Sequence, residues 1–133
     1  MTPDDLIGTW TLLGNHHRSP EGAVLDAQFG PDPMGVIRFD ANGRMIVVIA
    51  DARVRLPHGL DRRPFSGYTG RWALNDDVLT TEVDESFLTQ YVGSVQRREV
   101  VYQDGRLTLV PPPLVIDGVT HYRELVWEKI PGA

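Results

Sequence analysis

Tight-turn signals recur along the chain at short intervals, and they constrain its fold more than any other feature. Asn42-Gly43, Asp104-Gly105 and Asp117-Gly118 each separate two short apolar segments, and Asn75-Asp76-Asp77 separates two more. Such residues favour hairpins because they tolerate positive φ. Apolar residues nowhere repeat at helical spacing over a dozen residues, so long helices are not expected. Consecutive hairpins without intervening helices therefore predict an antiparallel meander.

Between these turns the sequence predicts a series of short strands. They are Thr9–Asn15, Val24–Phe29, Gly35–Phe39, Met45–Ala50, Gly67–Leu74, Val78–Val83, Gln96–Tyr102, Arg106–Val110, Leu114–Ile116 and Thr120–Ile130. Glu85–Ser94 fits a short helix or a strand, and the arginine-rich Asp51–Ser66 fits a loop. Strands in such number remove exposed edges by closing. We predict an all-β, antiparallel up-and-down barrel of about 8–10 strands with an internal pocket. Residues 1–133 are expected to form this single domain.

Composition excludes several classes of function. The chain has 13 Lys and Arg against 18 Asp and Glu, and its net charge of -5 disfavours nucleic-acid binding, which depends on neutralising phosphates. The absence of cysteine excludes disulfides, thiolate catalysis and zinc–thiolate sites. The N-terminus lacks a basic region, and the longest apolar run, Met45–Ala50, is far too short to cross a bilayer. We expect a cytoplasmic protein with no nucleic-acid or membrane partner.

Alternation along the strands places polar side chains on the same faces as aromatic ones. The residues that we assign to the interior are Tyr68, Trp72, Tyr91, Arg98, Tyr102, His121, Arg123 and Trp127. Buried charges are costly unless they are paired or hydrated, so this set indicates a cavity with polar anchors. The structural alternatives are an Arg123 that caps backbone carbonyls and a His121 that is hydrogen-bonded in the core.

Several short motifs follow one another through nearly the whole chain. They are Leu6–Trp10, Gly30–Phe39, Asn42–Met45, Gly70–Leu74, Asp104–Leu109 and Glu124–Glu128. In this order the chain resembles the bacterial and fungal lipocalin-like domain family, small stand-alone β-barrels of the calycin type. Gly8-Thr9-Trp10 also resembles the glycine–any–tryptophan signature of lipocalins. There the tryptophan closes one barrel end beneath an arginine of the last strand, for which Arg123 is the candidate. The resemblance implies a binding cavity and no particular reaction.

A pocket of this composition supports two functions. The first is binding of a small hydrophobic or aromatic anion, because aromatic walls suit a flat ligand and arginines suit a carboxylate, phenolate or enolate. The second is a cofactor-independent isomerase, cyclase or lyase acting on a polyketide-like or aromatic substrate. His121 would be its acid or base, and Arg98 and Arg123 would stabilise an oxyanion. The sequence leaves open whether the chain is catalytic.

Other groups and partners are less strongly indicated. His16 and His17 are adjacent on a strand and point to opposite faces, so they do not easily share a metal. We expect neither a metal nor a cofactor. The arginines of Asp51–Ser66 indicate either a solvated loop or a lid that attracts anions. A homodimer is a further expectation, because barrels of this kind often pair.

Overall fold

The computed structural model describes residues 1–132, and β-strands are by far its commonest regular element. Its elements are α1 (Pro3–Leu6), β1 (Gly8–Arg18), β2 (Val24–Leu25), β3 (Pro33–Phe39), β4 (Arg44–Asp51), β5 (Phe65–Asn75), β6 (Val78–Ser86), a 3-10 turn (Thr89–Tyr91), β7 (Val95–Gln103), β8 (Arg106–Val110), β9 (Leu114–Ile116) and β10 (Val119–Lys129). No helix among these residues is long and apolar enough to span a membrane.

Eight of the strands close into an antiparallel barrel. They follow chain order around the sheet as β1-β3-β4-β5-β6-β7-β8-β10. The ring closes where β10 pairs with β1, from Trp10 opposite Lys129 to Arg18 opposite Tyr122. The two short strands, β2 and β9, lie outside this ring and pair with β1 and β10. The prediction of an all-β, up-and-down barrel is confirmed.

The turns follow the local chemistry of their residues. Both residues of Asp104-Gly105 and of Asp117-Gly118 have positive φ, between 50° and 77°, as a two-residue hairpin requires. The hairpin at Asn42-Gly43 forms in another way, because only its glycine has positive φ. The N–H of Gly43 donates to the carbonyl of Asp40 and closes a longer turn.

Some predicted boundaries shift. The strand predicted at Val24–Phe29 is reduced to Val24–Leu25, and Phe29 packs into the core instead. Within Glu85–Ser94, β6 ends at Ser86 and is followed by the 3-10 turn at Thr89–Tyr91. The loop predicted at Asp51–Ser66 is shorter at both ends, because β4 includes Asp51 and β5 begins at Phe65.

The barrel interior differs between its two ends. The end that holds Trp10 and Trp127, here called the closed end, is packed with apolar side chains. Those exposed by 1% or less are Leu6, Trp10, Ile37, Phe39, Leu107 and Trp127. The opposite end, where His17 and Arg123 lie across from each other on β1 and β10, is called the open end.

The cation over the closed-end tryptophan is a lysine. The Trp10 indole N–H donates to the carbonyl of Leu6 at 2.9 Å, and the ammonium of Lys129 lies 5.4 Å from the centre of its ring. Lys129 is also the residue paired with Trp10 across the closing strands. The prediction that Arg123 takes this part is wrong, because the register places Arg123 at the other end of the barrel.

Candidate functional site

A β-bulge in β1 decides which side chains of this strand enter the open end. Trp10 and Leu12 point inward, and the register with β10 then shifts between Leu12 and Gly14. Beyond this point Asn15 and His17 are buried. The extra residue in β1 reverses the alternation of faces beyond it. The histidine that directly precedes His17 is therefore exposed. The expectation that adjacent histidines point apart therefore holds.

His17 and His121 form a hydrogen-bonded pair across β1 and β10. Their Nδ1 atoms are 2.9 Å apart, and the rings are nearly perpendicular. The backbone N–H of Gln28 donates to Nε2 of His17 at 3.3 Å. His17 therefore accepts at Nε2, and we assign its proton to Nδ1, which donates to Nδ1 of His121. Among residues 1–132, the Nε2–H of His121 that this assignment leaves has no hydrogen-bond partner.

Burial keeps His17 in the neutral form that this assignment requires. The pKa of His17 is lowered from 6.5 to about 4, mainly by loss of solvation and then by electrostatic repulsion from His121 and Arg123. At neutral pH His17 is therefore a neutral donor, and it fixes the hydrogen bonding of its partner.

Two arginines enter the same end of the barrel. Arg123 is half-buried and donates from Nη2 to the carbonyl of Pro112 at 3.0 Å, while its Nε is buried with no partner in the described chain. Arg98 on β7 donates to the side-chain oxygen of Gln96 at 3.0 Å. Burial, and then repulsion by Arg98, lower the pKa of Arg123. Neither arginine belongs to an ion pair formed within residues 1–132.

Two tyrosines complete the group at the open end. Tyr68 on β5 packs partly buried against the core, and its burial raises the pKa of its hydroxyl, an effect that the charge of Arg98 opposes. Tyr91, in the 3-10 turn, is close enough to Arg123 to raise the pKa of that guanidinium. The structure thus brings together five residues of the predicted set. We call this group the open-end cluster: Tyr68, Tyr91, Arg98, His121 and Arg123.

The other three residues of the predicted set lie at the closed end. Trp72 is buried, and its indole N–H donates to the carbonyl of Asp40 at 3.0 Å. Tyr102 is 47% exposed and meets the edge of the Trp10 ring at 6.3 Å. Trp127 is part of the packed core. These positions separate the three from the open-end cluster, and the ligand-binding role predicted for them stays a prediction.

Inward-facing side chains remain partly accessible at the open end. Tyr68, Arg98, Arg123 and Leu125 are intermediate in burial, whereas the inward-facing residues of the closed end, apart from Tyr102, are almost fully buried. Accessible polar groups on an inner face are typical of a pocket mouth. Two shallow grooves lie elsewhere, one of about 280 Å³ beside β4 and β5 and one of about 420 Å³ beside β7 and β8.

A buried carboxylate anchors the arginine-rich loop beside this mouth. Asp51 is fully buried at the end of β4, and Arg53 donates to its carboxylate from Nε at 3.0 Å and from Nη2 at 2.6 Å. These hydrogen bonds lower the pKa of Asp51. Arg63 donates to the main-chain carbonyls of both residues at 2.6 Å. Gly30, with φ of +72°, packs so closely on Asp51 that a Cβ there would clash. The first part of the loop is therefore held in place by its own charges.

Sequence reasoning missed two residues of this site. His17 lies in the histidine pair. Asn15 lies nearby with a buried Oδ1 that has no partner in the described chain, and its Nδ2 donates to the main-chain carbonyl of Glu124 at 3.4 Å. Simple alternation from Trp10 places both residues on the outer face, so neither was assigned to the interior. The signal that could have found them is Gly14, since a glycine within a strand indicates a bulge.

Comparison with known proteins identifies the family to which this barrel belongs. A family model described as the lipocalin-like domain matches residues 7–130 of the 133-residue chain. No curated protein matches the sequence significantly. The matched region contains every strand of the barrel and all of the open-end cluster. The chain therefore belongs to the lipocalin-like domain family, whose barrel suits the binding of small molecules in general.

Proposed function

We propose that the open end binds a small hydrophobic or aromatic molecule through an anionic oxygen. The observation that carries the proposal is the uncompensated positive charge of Arg98 and Arg123. Both project from inner faces, and within residues 1–132 neither has a carboxylate partner. Charges removed from water require a partner, and two like charges raise this requirement. An anion bound between them would meet it, because guanidinium groups suit carboxylates and other planar oxyanions.

The histidine pair adds a neutral donor to this cationic site. His17 donates to Nδ1 of His121, so His121 has a hydrogen on Nε2 that it can donate to a ligand. A carboxylate, phenolate or enolate oxygen would accept from it. The same arrangement makes His121 a poor general base, because Nε2 already carries a hydrogen and the lone pair of Nδ1 accepts from His17. The donor set therefore favours ligands whose oxygen is already negative or becomes negative.

Apolar side chains extend below the donors toward the packed core. Leu12, Ile49 and Leu109 belong to the hydrophobic core, and Leu125 packs partly buried against it. A ligand with a charged head at the mouth would place its ring or chain against them. Burying such apolar surface contributes roughly 25 cal/mol per Å² to binding.

Titration with aromatic carboxylic acids and their methyl esters tests the proposal. The esters keep the shape and lose the charge, so we expect them to bind at least about 10-fold more weakly, as loss of a charge-assisted hydrogen bond implies. Arg123→Gln should weaken binding of the acids by about 10- to 100-fold. Arg38→Gln is the matched control, because Arg38 is on the outer wall and pairs with Asp40. Equal binding of acid and ester, or equal loss in both variants, would contradict the proposal.

A cofactor-independent isomerase, cyclase or lyase is a second candidate, and the histidine pair favours it. A neutral imidazole with a fixed tautomer can polarise a carbonyl as it becomes an enolate. His121→Ala should then abolish turnover of an aromatic or polyketide-like substrate while affinity for it is largely kept. Unchanged turnover in this variant would exclude the role.

A further inference from the structure

Strand β4 is apolar on both of its faces. A barrel strand whose outer face contacts water needs apolar residues on its inner face alone. Its residues 45–50 read Met-Ile-Val-Val-Ile-Ala without alternation. Met45, Val47 and Ile49 fill the interior, whereas Ile46 and Val48 point outward and are 49% and 42% exposed. Continuous apolar strands are typical of sheets covered on both faces. The outer face of β4 therefore has the composition of a covered surface.

Neighbouring strands extend this apolar face in both directions. Val36 on β3 lies directly across from Val48, and on the other side Val48 is paired with Gly67 of β5. Phe65 and Phe87 meet edge to face at 5.0 Å and form one wall of the adjoining groove. We define the outer patch by its exposed large side chains. They are Met34, Val36, Ile46, Val48, Phe65 and Phe87, each between 40% and 61% exposed.

We propose that the outer patch is the interface of a symmetric homodimer. Its six residues expose roughly 600 Å² per copy, so their complete burial in two copies would remove about 1,200 Å² from water, the lower end of the range of stable interfaces. Exposed apolar patches of this size mark interaction sites. The inference is independent of the ligand proposed for the open end, because the patch lies on the opposite side of the barrel wall.

Shape and charge favour a second copy over other partners. Gly67 leaves a groove of about 280 Å³ next to the ridge formed by Val36 and Val48, so a copy related by a two-fold axis can place its ridge in the groove of the first. At the patch edge Arg44 pairs with Asp84 at 2.5 Å, and Glu85 lines the groove. A net charge of -5 opposes an anionic membrane surface.

Sedimentation analysis of the purified chain tests this interface. The chain mass is 14.9 kDa, and we expect twice that mass over a range of concentrations. Val48→Lys places two like charges at the centre of the interface and should raise the dissociation constant by at least about 100-fold. Val101→Lys is the matched control, because Val101 is 51% exposed on β7, away from the patch. Thermal unfolding of both variants confirms that they fold.

The absence of cysteine provides a second, independent readout. Val48→Cys and Val101→Cys each contain a single thiol, so a covalent dimer formed by a short bis-maleimide reports proximity at that position alone. We expect cross-linking through position 48 and little through position 101. A wild-type chain that is monomeric at all concentrations would overturn the proposal. It would do so even if the outer patch were then found to bind lipid or another protein. Dissociation by Val101→Lys with no effect of Val48→Lys would also overturn it.

Discussion

The buried histidine of β1 should make the stability of the protein depend strongly on pH. His17 is 1% exposed and has a pKa of about 4 in the folded chain, against 6.5 in the unfolded chain. As the pH falls below 6.5 the unfolded chain takes up a proton at His17, whereas the folded chain does so only near pH 4. Between these values the unfolded state binds more protons, so the free energy of unfolding decreases as the pH falls.

The size of this effect follows from the separation of the two pKa values. Each unit corresponds to about 1.4 kcal/mol, so His17 alone should remove about 3 kcal/mol of stability between roughly pH 7 and pH 4. This loss is a large part of the 5–15 kcal/mol or so that stabilises a typical domain. The stabilising contribution is fully present above pH 6.5 and is lost through the window down to pH 4.

Urea unfolding at a series of pH values measures this loss. His17→Gln keeps a donor for Nδ1 of His121 and an acceptor for the N–H of Gln28, and it removes the titrating ring. We expect the variant to lose about 3 kcal/mol less than the wild type over the same pH range. His16→Gln is the control, because His16 is exposed and should leave the wild-type slope unchanged. Identical slopes for His17→Gln and the wild type would refute both the neutral state of His17 and the hydrogen-bond assignment built on it.

Two further substitutions test the packing that positions the site. Leu107→Ala empties a fully buried position and should cost about 2–5 kcal/mol of unfolding free energy, whereas Val101→Ala on the outer wall should change it by less than about 0.5 kcal/mol. Gly30→Ala places a Cβ against the Asp51 carboxylate at positive φ, and Gly43→Ala has positive φ with open space around it. Gly30→Ala should therefore be the more destabilising of the two in thermal unfolding, and equal losses would show that Asp51 is not held against Gly30.

Local chemistry determined much of this fold. The Asp-Gly turns, the alternation within β5 and β10 and the absence of helical periodicity are properties of neighbouring residues, so the sequence alone predicts a meander of hairpins. The same alternation correctly groups His121, Arg123 and Arg98 at inner faces. Strand ends depend on more than neighbouring residues, as Val24–Phe29 shows. The residues of this segment favour a strand, but Phe29 is drawn into the core and the strand ends at Leu25. Local preference does not contain this tertiary contact.

Contacts between distant residues decided the rest. The bulge at Gly14 arises where β1 pairs with β10, and it selects His17 over His16 for a hydrogen bond to a residue 104 positions away. The same register places Lys129, and not Arg123, over Trp10. Alternation gives the faces of one strand, but the register between strands is fixed only when the barrel closes. The sequence by itself therefore determined most of the strands and the inner faces of those without a bulge, and only the closed barrel decided the face of β1 beyond its bulge and which charged groups meet inside.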